Sequence, residues 1–96
     1  MALRVVAHLE ALPGKVDALK SVLEGLVAPT HQEIGCISYE LLQSTEDPAR
    51  FTFVEEWASE DAFQAHFETE HIRGALVRLP ELLAAELDLR TYRLVC

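Results

Sequence analysis

Hydrophobic and polar residues alternate at period two along four stretches of the chain and recur at steps of three and four along two others. In the first stretch Leu3, Val5, Ala7 and Leu9 share one parity, and Arg4, Val6, His8 and Glu10 the other, which predicts a strand over Leu3 to Ala11. The turn pair Pro13-Gly14 ends it. Lys15 to about Thr30 reads as an amphipathic helix, with Val16, Leu19, Val22, Leu23, Leu26 and Val27 forming a stripe wide enough to cover a sheet. Gly25 weakens that helix slightly, and Pro29 is expected to kink or end it. Gly35 breaks the chain before a second strand, Cys36 to about Ser44, with Ile37, Tyr39 and Leu41 on one face and Ser38, Glu40 and Leu42 on the other. Thr45-Glu46-Asp47-Pro48 is turn chemistry, short enough to join antiparallel neighbours.

A third strand follows, in which Phe51, Phe53, Glu55 and Trp57 alternate with Thr52, Val54 and Glu56. The period switches to helical at Ser59, whose hydroxyl can cap the first turn, and Glu60 and Asp61 sit at the positive end of the helix dipole. Phe63, His66 and Phe67 then share one helical face. Thr69 is expected to break and re-cap the helix, and Ile72, Ala75, Leu76 and Leu79 carry an apolar stripe on to Pro80. One further turn over Pro80 to Glu86 leads into a last strand, Leu87 to Val95.

Strand, helix, strand, strand, helix, strand is two interleaved β-α-β units. The order predicts one α+β domain over residues 1–96: a ferredoxin-like (βαββαβ), four-stranded antiparallel sheet with helices on one face. Its other face lacks a cover, and Val6, Val54 and Leu94 are apolar residues on otherwise polar strand faces. Sheet against sheet across a two-fold axis would hide them, so a homodimer is expected. The 50% hydrophobic content, high for 96 residues, points the same way.

The net charge of −8 argues against nucleic acid as a partner, because phosphates would be repelled. No apolar run approaches the roughly 20 residues of a membrane span, and no basic-then-apolar leader follows Met1; no membrane is expected, and a cytoplasmic address is. Cys36 and Cys96 have neither CxxC nor metal-ligand spacing.

The densest chemistry lies between Phe51 and His71, which holds a glutamate pair, the only Trp and two of the four histidines. Glu55 shares a strand face with Phe51, Phe53 and Trp57, where a carboxylate is costly without a partner. It is either one end of a salt bridge to Arg4, Arg90 or Arg93, or a general base with a raised pKa. Glu56 faces the other way. Trp57 is either a core aromatic filling the gap between sheet and helix or a flat wall for a planar substrate. His66, with Phe63 and Phe67, is either a satisfied core histidine or the base best suited to a phenolic proton at neutral pH. His71, five residues on, would not share a face with His66 on a continuous helix; a bend at Thr69 would let both line one mouth. Tyr39 either orients a substrate through its hydroxyl or packs against its strand neighbour. No HExxH or 2-His-carboxylate spacing occurs, and the four Gly form no dinucleotide fingerprint, so neither a metal nor a flavin or nicotinamide cofactor is expected.

Taken together, Pro13-Gly14-Lys15, Pro29-Thr30, Gly35-Cys36, Tyr39, Asp47-Pro48, Phe51 to Trp57, and His66 with His71 resemble the antibiotic biosynthesis monooxygenase (ABM) family, over nearly the whole chain. The resemblance implies a dimeric α+β barrel of two ferredoxin-like protomers. Known activities in the family include cofactor-independent oxygenation of phenols or quinols, haem degradation and isomerisation of a signalling-molecule phosphate. Haem-degrading members carry an Asn on the first strand, and this chain has no Asn at all. The resemblance therefore implies a monooxygenase that acts on an electron-rich aromatic with O₂ and no bound cofactor. It would use His66, His71 and Glu55 for proton transfer, with Trp57, Tyr39, Phe63 and Phe67 as walls. A small-molecule isomerase using the same histidines and a non-catalytic ligand-binding dimer are the alternatives.

Overall fold

The period-two stretches pair into one sheet, and the two helical stripes pack on a single side of it. The computed structural model describes residues 2–96. The elements are β1 (Leu3–Glu10), α1 (Val16–His31), β2 (Cys36–Gln43), β3 (Arg50–Trp57), α2 (Glu60–His66), α3 (Glu70–Arg78), a 3₁₀ turn at Leu79–Glu81, and β4 (Asp88–Tyr92). The strand order is β2-β3-β1-β4, antiparallel throughout. This is the ferredoxin-like α+β layout expected from the element order.

Register decides which side chains meet the helices. Val5 lies opposite Glu55, Ala7 opposite Phe53 and Leu9 opposite Phe51, and all six are buried. Leu19, Leu23 and Leu26 of the α1 stripe cover them, and each buried leucine contributes about 1.5–3 kcal/mol relative to exposure. Ile72, Ala75 and Leu79 close the core from α3 and the turn beyond it. The other parity of the same strands, Arg4, Val6, His8 and Val54 among them, faces away from the helices.

Four local expectations need correction. Pro29 does not end α1, which runs two residues further to His31. Ile37 does not share the face of Tyr39: a β-bulge between Cys36 and Ser38 puts Cys36 opposite Trp57 and leaves Ile37 exposed. The last strand is shorter than its alternation suggests, because only Asp88–Tyr92 has β1 to pair with. Leu94 therefore lies beyond the sheet face on which it was expected, and it is exposed. Finally, Thr69 does break the second helix and stands at the N-cap of α3, but its hydroxyl makes no cap; it donates to the His66 carbonyl at 2.7 Å.

Candidate functional site

β3 and α2 meet at the corner where Ser59 caps the helix, its Oγ accepting from the Ala62 N–H at 3.1 Å. That cap sets the helical phase and turns Phe63 and His66 onto the sheet, where both are buried. Beneath His66 lie Trp57 and Tyr39, with ring centroids 4.8 and 5.7 Å away. Glu55 is also buried, and its partner is none of the arginines considered for it. Arg4 pairs with Glu56 at 3.4 Å and Arg90 with Asp88 at 3.0 Å. Glu55 Oε1 instead accepts from the Trp57 indole N–H at 2.9 Å.

A narrow cavity of about 50 Å³ lies between the sheet and the helices. Tyr39, Glu55 and His66 are the polar groups on its wall; Phe63, Phe67 and a set of aliphatic side chains supply the rest. Five of the seven expected site residues thus meet at one cavity. Trp57 and His71 do not line it. Trp57 is completely buried, and its indole N–H holds Glu55. His71 lies on the far side of His66 and is about one-fifth exposed.

The residue that the sequence does not announce is Glu33, in the loop between α1 and β2. Its Oε2 accepts from His66 Nδ1 and from His71 Nε2, each at 2.7 Å. The break at Thr69 lets α3 start afresh and swing His71 onto the same oxygen. Gly35 brings the loop in. Its φ is +89°, and a Cβ there would meet the Ala62 Cβ at 2.5 Å, so only glycine allows the loop this close to α2.

These contacts fix the proton positions. A carboxylate oxygen can only accept, so Nδ1 of His66 carries the hydrogen and the lone pair of the neutral ring is on Nε2. His66 as a residue lines the cavity and Glu33 does not, so Nε2 is the one acceptor nitrogen that the neutral ring keeps there. Burial lowers the His66 pKa; the hydrogen bond and charge of Glu33 oppose that, and His71 adds to the lowering. Burial pushes Glu55 up to about 7, against the pull of the Trp57 N–H and with a further push from the charge of Glu33. Tyr39 is raised by burial and then by the charge of Glu55, so its hydroxyl keeps its proton and acts as a donor. The cavity therefore presents a neutral base, a carboxyl near its titration point and a phenolic donor. That set suits proton transfer to and from a small, mostly apolar molecule.

The fold is thus a ferredoxin-like domain in which His66, paired with Glu33, borders an apolar cleft. The chain matches the Antibiotic biosynthesis monooxygenase (ABM) family over residues 2–77 and belongs to it. Among relatives, it is 32% identical over 82 residues to "Putative monooxygenase YcnE" of Bacillus subtilis, covering 85% of this chain and 86% of that protein. It is 26% identical over 90 residues to the uncharacterised Synechocystis protein sll1783, covering 94% of this chain. It spans only 61% of the length of that cyanobacterial relative. The crystal structure of PA3566 from Pseudomonas aeruginosa superposes with a TM-score of 0.91 at 34% identity, covering 98% of this chain and 95% of that one. Among the described residues no helix is long and apolar enough to cross a membrane.

Proposed function

We propose that this chain is a cofactor-independent monooxygenase that oxidises an electron-rich aromatic, a phenol or quinol, with O₂, and that it works as a homodimer in the cytoplasm. The observation that carries the reading is His66, held at Nδ1 by Glu33 on the wall of an apolar cleft. Nε2 accepts the phenolic proton, and the Glu33 carboxylate stabilises the imidazolium that forms. The phenolate then passes electrons to O₂, so the substrate supplies the reducing power. A phenol plus O₂ balances to a quinone plus water, with one oxygen atom retained in each product. In this reading the Tyr39 hydroxyl and the protonated fraction of Glu55 donate to oxygen atoms of substrate or product. Phe63 and Phe67 hold the ring, and the apolar wall strengthens each of these polar contacts by excluding water.

Family membership does not choose the reaction, because one fold hosts several chemistries. The isomerase alternative draws on one observation, that Glu55 and His66 could exchange a proton across a single cavity. Oxygen-electrode assays with a panel of hydroquinones and naphthols separate the readings. The oxygenase consumes stoichiometric O₂ and places one ¹⁸O from ¹⁸O₂ in the quinone. Rearrangement without O₂ uptake identifies an isomerase, and tight binding with ligand recovered unchanged identifies a binding protein.

A further inference from the structure

Glu33, His66 and His71 come from three separate segments, yet their ligand atoms all lie within 4.8 Å of one another. We propose that Glu33 Oε2, His66 Nδ1 and His71 Nε2 form a binding site for one divalent transition-metal cation, of the zinc or cobalt kind. Such an ion sits about 2.0–2.2 Å from imidazole nitrogen and carboxylate oxygen, which places its ligand atoms roughly 3.0–3.5 Å apart. The two N···O contacts of 2.7 Å need open only by a few tenths of an ångström, while the two nitrogens draw together. His71 can make that move. It stands in the first turn of α3 and is partly exposed, which also gives the ion a route in, whereas His66 is enclosed. Two imidazoles and one carboxylate are a ligand set for borderline divalent ions, and three protein ligands leave a position for water.

The charge around the cluster argues for a cation independently of its shape. The Glu33 side chain is only 10% exposed, and the groups that contact it among the described residues are the two imidazoles. No Lys or Arg lies within ion-pair distance of it. A nearly buried carboxylate with no Lys or Arg beside it is poorly compensated. Its charge spreads to its neighbours: it is one cause of the raised pKa of Glu55, of Tyr39 and of Cys36. A dication among the three ligands cancels that charge at its source.

The site also bears on the cavity. An ion at Nδ1 takes that lone pair, so the single proton of the neutral ring is carried on Nε2. Nε2 then changes from acceptor to donor, and the cation silences the base. Binding itself is independent of the oxygenase reading; only this effect on turnover rests on it.

Titration of the purified chain with Co²⁺, followed by visible d–d absorption, tests the site directly. One equivalent per chain is expected, displaced by Zn²⁺, and Zn²⁺ should raise the melting temperature by mass action. Glu33→Gln and His71→Gln should each weaken Co²⁺ binding at least about tenfold, while His8→Gln, on the other face of the sheet, leaves it intact. If Glu33→Gln does not fold, His71→Gln at its partly exposed position decides the matter. Undiminished binding in the folded variants, a thiolate-to-cobalt charge-transfer band marking Cys36 or Cys96 as ligand, or no binding below about 1 mM overturns the proposal. If quinol turnover is found, it should fall in proportion to cobalt occupancy and return on chelation. Occupancy that leaves turnover untouched overturns the silencing, while absence of any turnover refutes the oxygenase reading and leaves the binding result standing.

Discussion

On the helix-covered side of the sheet, Glu55 and the His66 that faces it are each only 4% exposed among apolar side chains. On the opposite side, Val6 and Val54 stand directly across from one another, with Leu42 and Tyr92 on the flanking strands half exposed. The two faces depart from ordinary burial in opposite directions. A buried carboxyl or imidazole costs free energy unless something answers it, and here Trp57 and Glu33 do. An exposed valine alone needs no explanation, but apolar residues grouped across all four strands do. The Arg4–Glu56 pair beside them, 44% and 26% exposed, is worth little by itself. One face therefore spends stability to hold polar chemistry, and the other holds unspent apolar surface. We read the first as the site and the second as the proposed dimer contact.

The largest effect should come from His66→Gln. Loss of the base lowers turnover by about 10²–10⁴-fold, with stability reduced by about 1 kcal/mol as the bond to Glu33 weakens. His8→Gln, which breaks only the exposed contact to Thr52 on the open face, serves as the matched control. Rates and melting temperatures are measured on the same preparations. A destabilised His66 variant with full activity per folded molecule would place both anomalies in the category of structure alone.

Next in size is Val54→Glu on the open face. Light scattering of the native chain should give about twice the 10.7 kDa protomer mass at micromolar concentration. The variant buries an unpaired carboxylate in each half of the contact and should weaken association at least about a hundredfold. A native chain that is a well-folded monomer under those conditions would remove the contact from the comparison.

The smallest effect is also the most direct measure of what the buried face costs. The Glu55 carboxyl titrates at about 7 in the folded chain, above the ordinary glutamate value of 4.5. The native state therefore holds that proton longer than the unfolded state, and stability is lost as pH rises from about 4.5 to about 7 and is then level. The gap between the ordinary 4.5 and about 7 corresponds to at most about 3.4 kcal/mol. Glu55→Gln keeps an oxygen for the Trp57 N–H and removes the ionisation. It should be about 1–3 kcal/mol more stable than the native chain at pH 8 in urea melts, with parity near pH 4.5. The lowered pKa of His66 acts in the opposite sense, destabilising the fold as pH falls through the ordinary imidazole range. It is common to both proteins and cancels in the difference. Equal stabilities at pH 8 would mean that the Glu55 charge is compensated and the buried face is not under strain.

The parts of this molecule legible in the chain are those written in short-range patterns. Alternation predicted which parity of β1 and β3 is buried, the i, i+3, i+4 spacing put Phe63, His66 and Phe67 on one face, and the Ser59 cap is where its side-chain chemistry demands. Misreadings came where pairing overrides propensity. The bulge at Ile37 and the early end of β4 depend on what β3 and β1 offer opposite, which no local window contains.

Glu33 is the clearest case of a residue that the pattern hides. It lies in a polar loop, 33 and 38 residues before the histidines it joins, and a loop glutamate has no distinguishing local signal. Gly35 was the nearest hint, since a glycine there can mean close approach as well as a turn, but nothing in the chain says that Ala62 is what it approaches. The tertiary structure also gave Glu55 and Trp57 each other as partners, where the sequence suggested an arginine for Glu55. The sequence by itself determined the elements, their order and the two faces of the sheet, because hydrophobic period and capping act over a few residues. Only the packed fold decided which polar groups meet, because hydrogen bonds between distant segments depend on loop approach and register, set by the whole core at once.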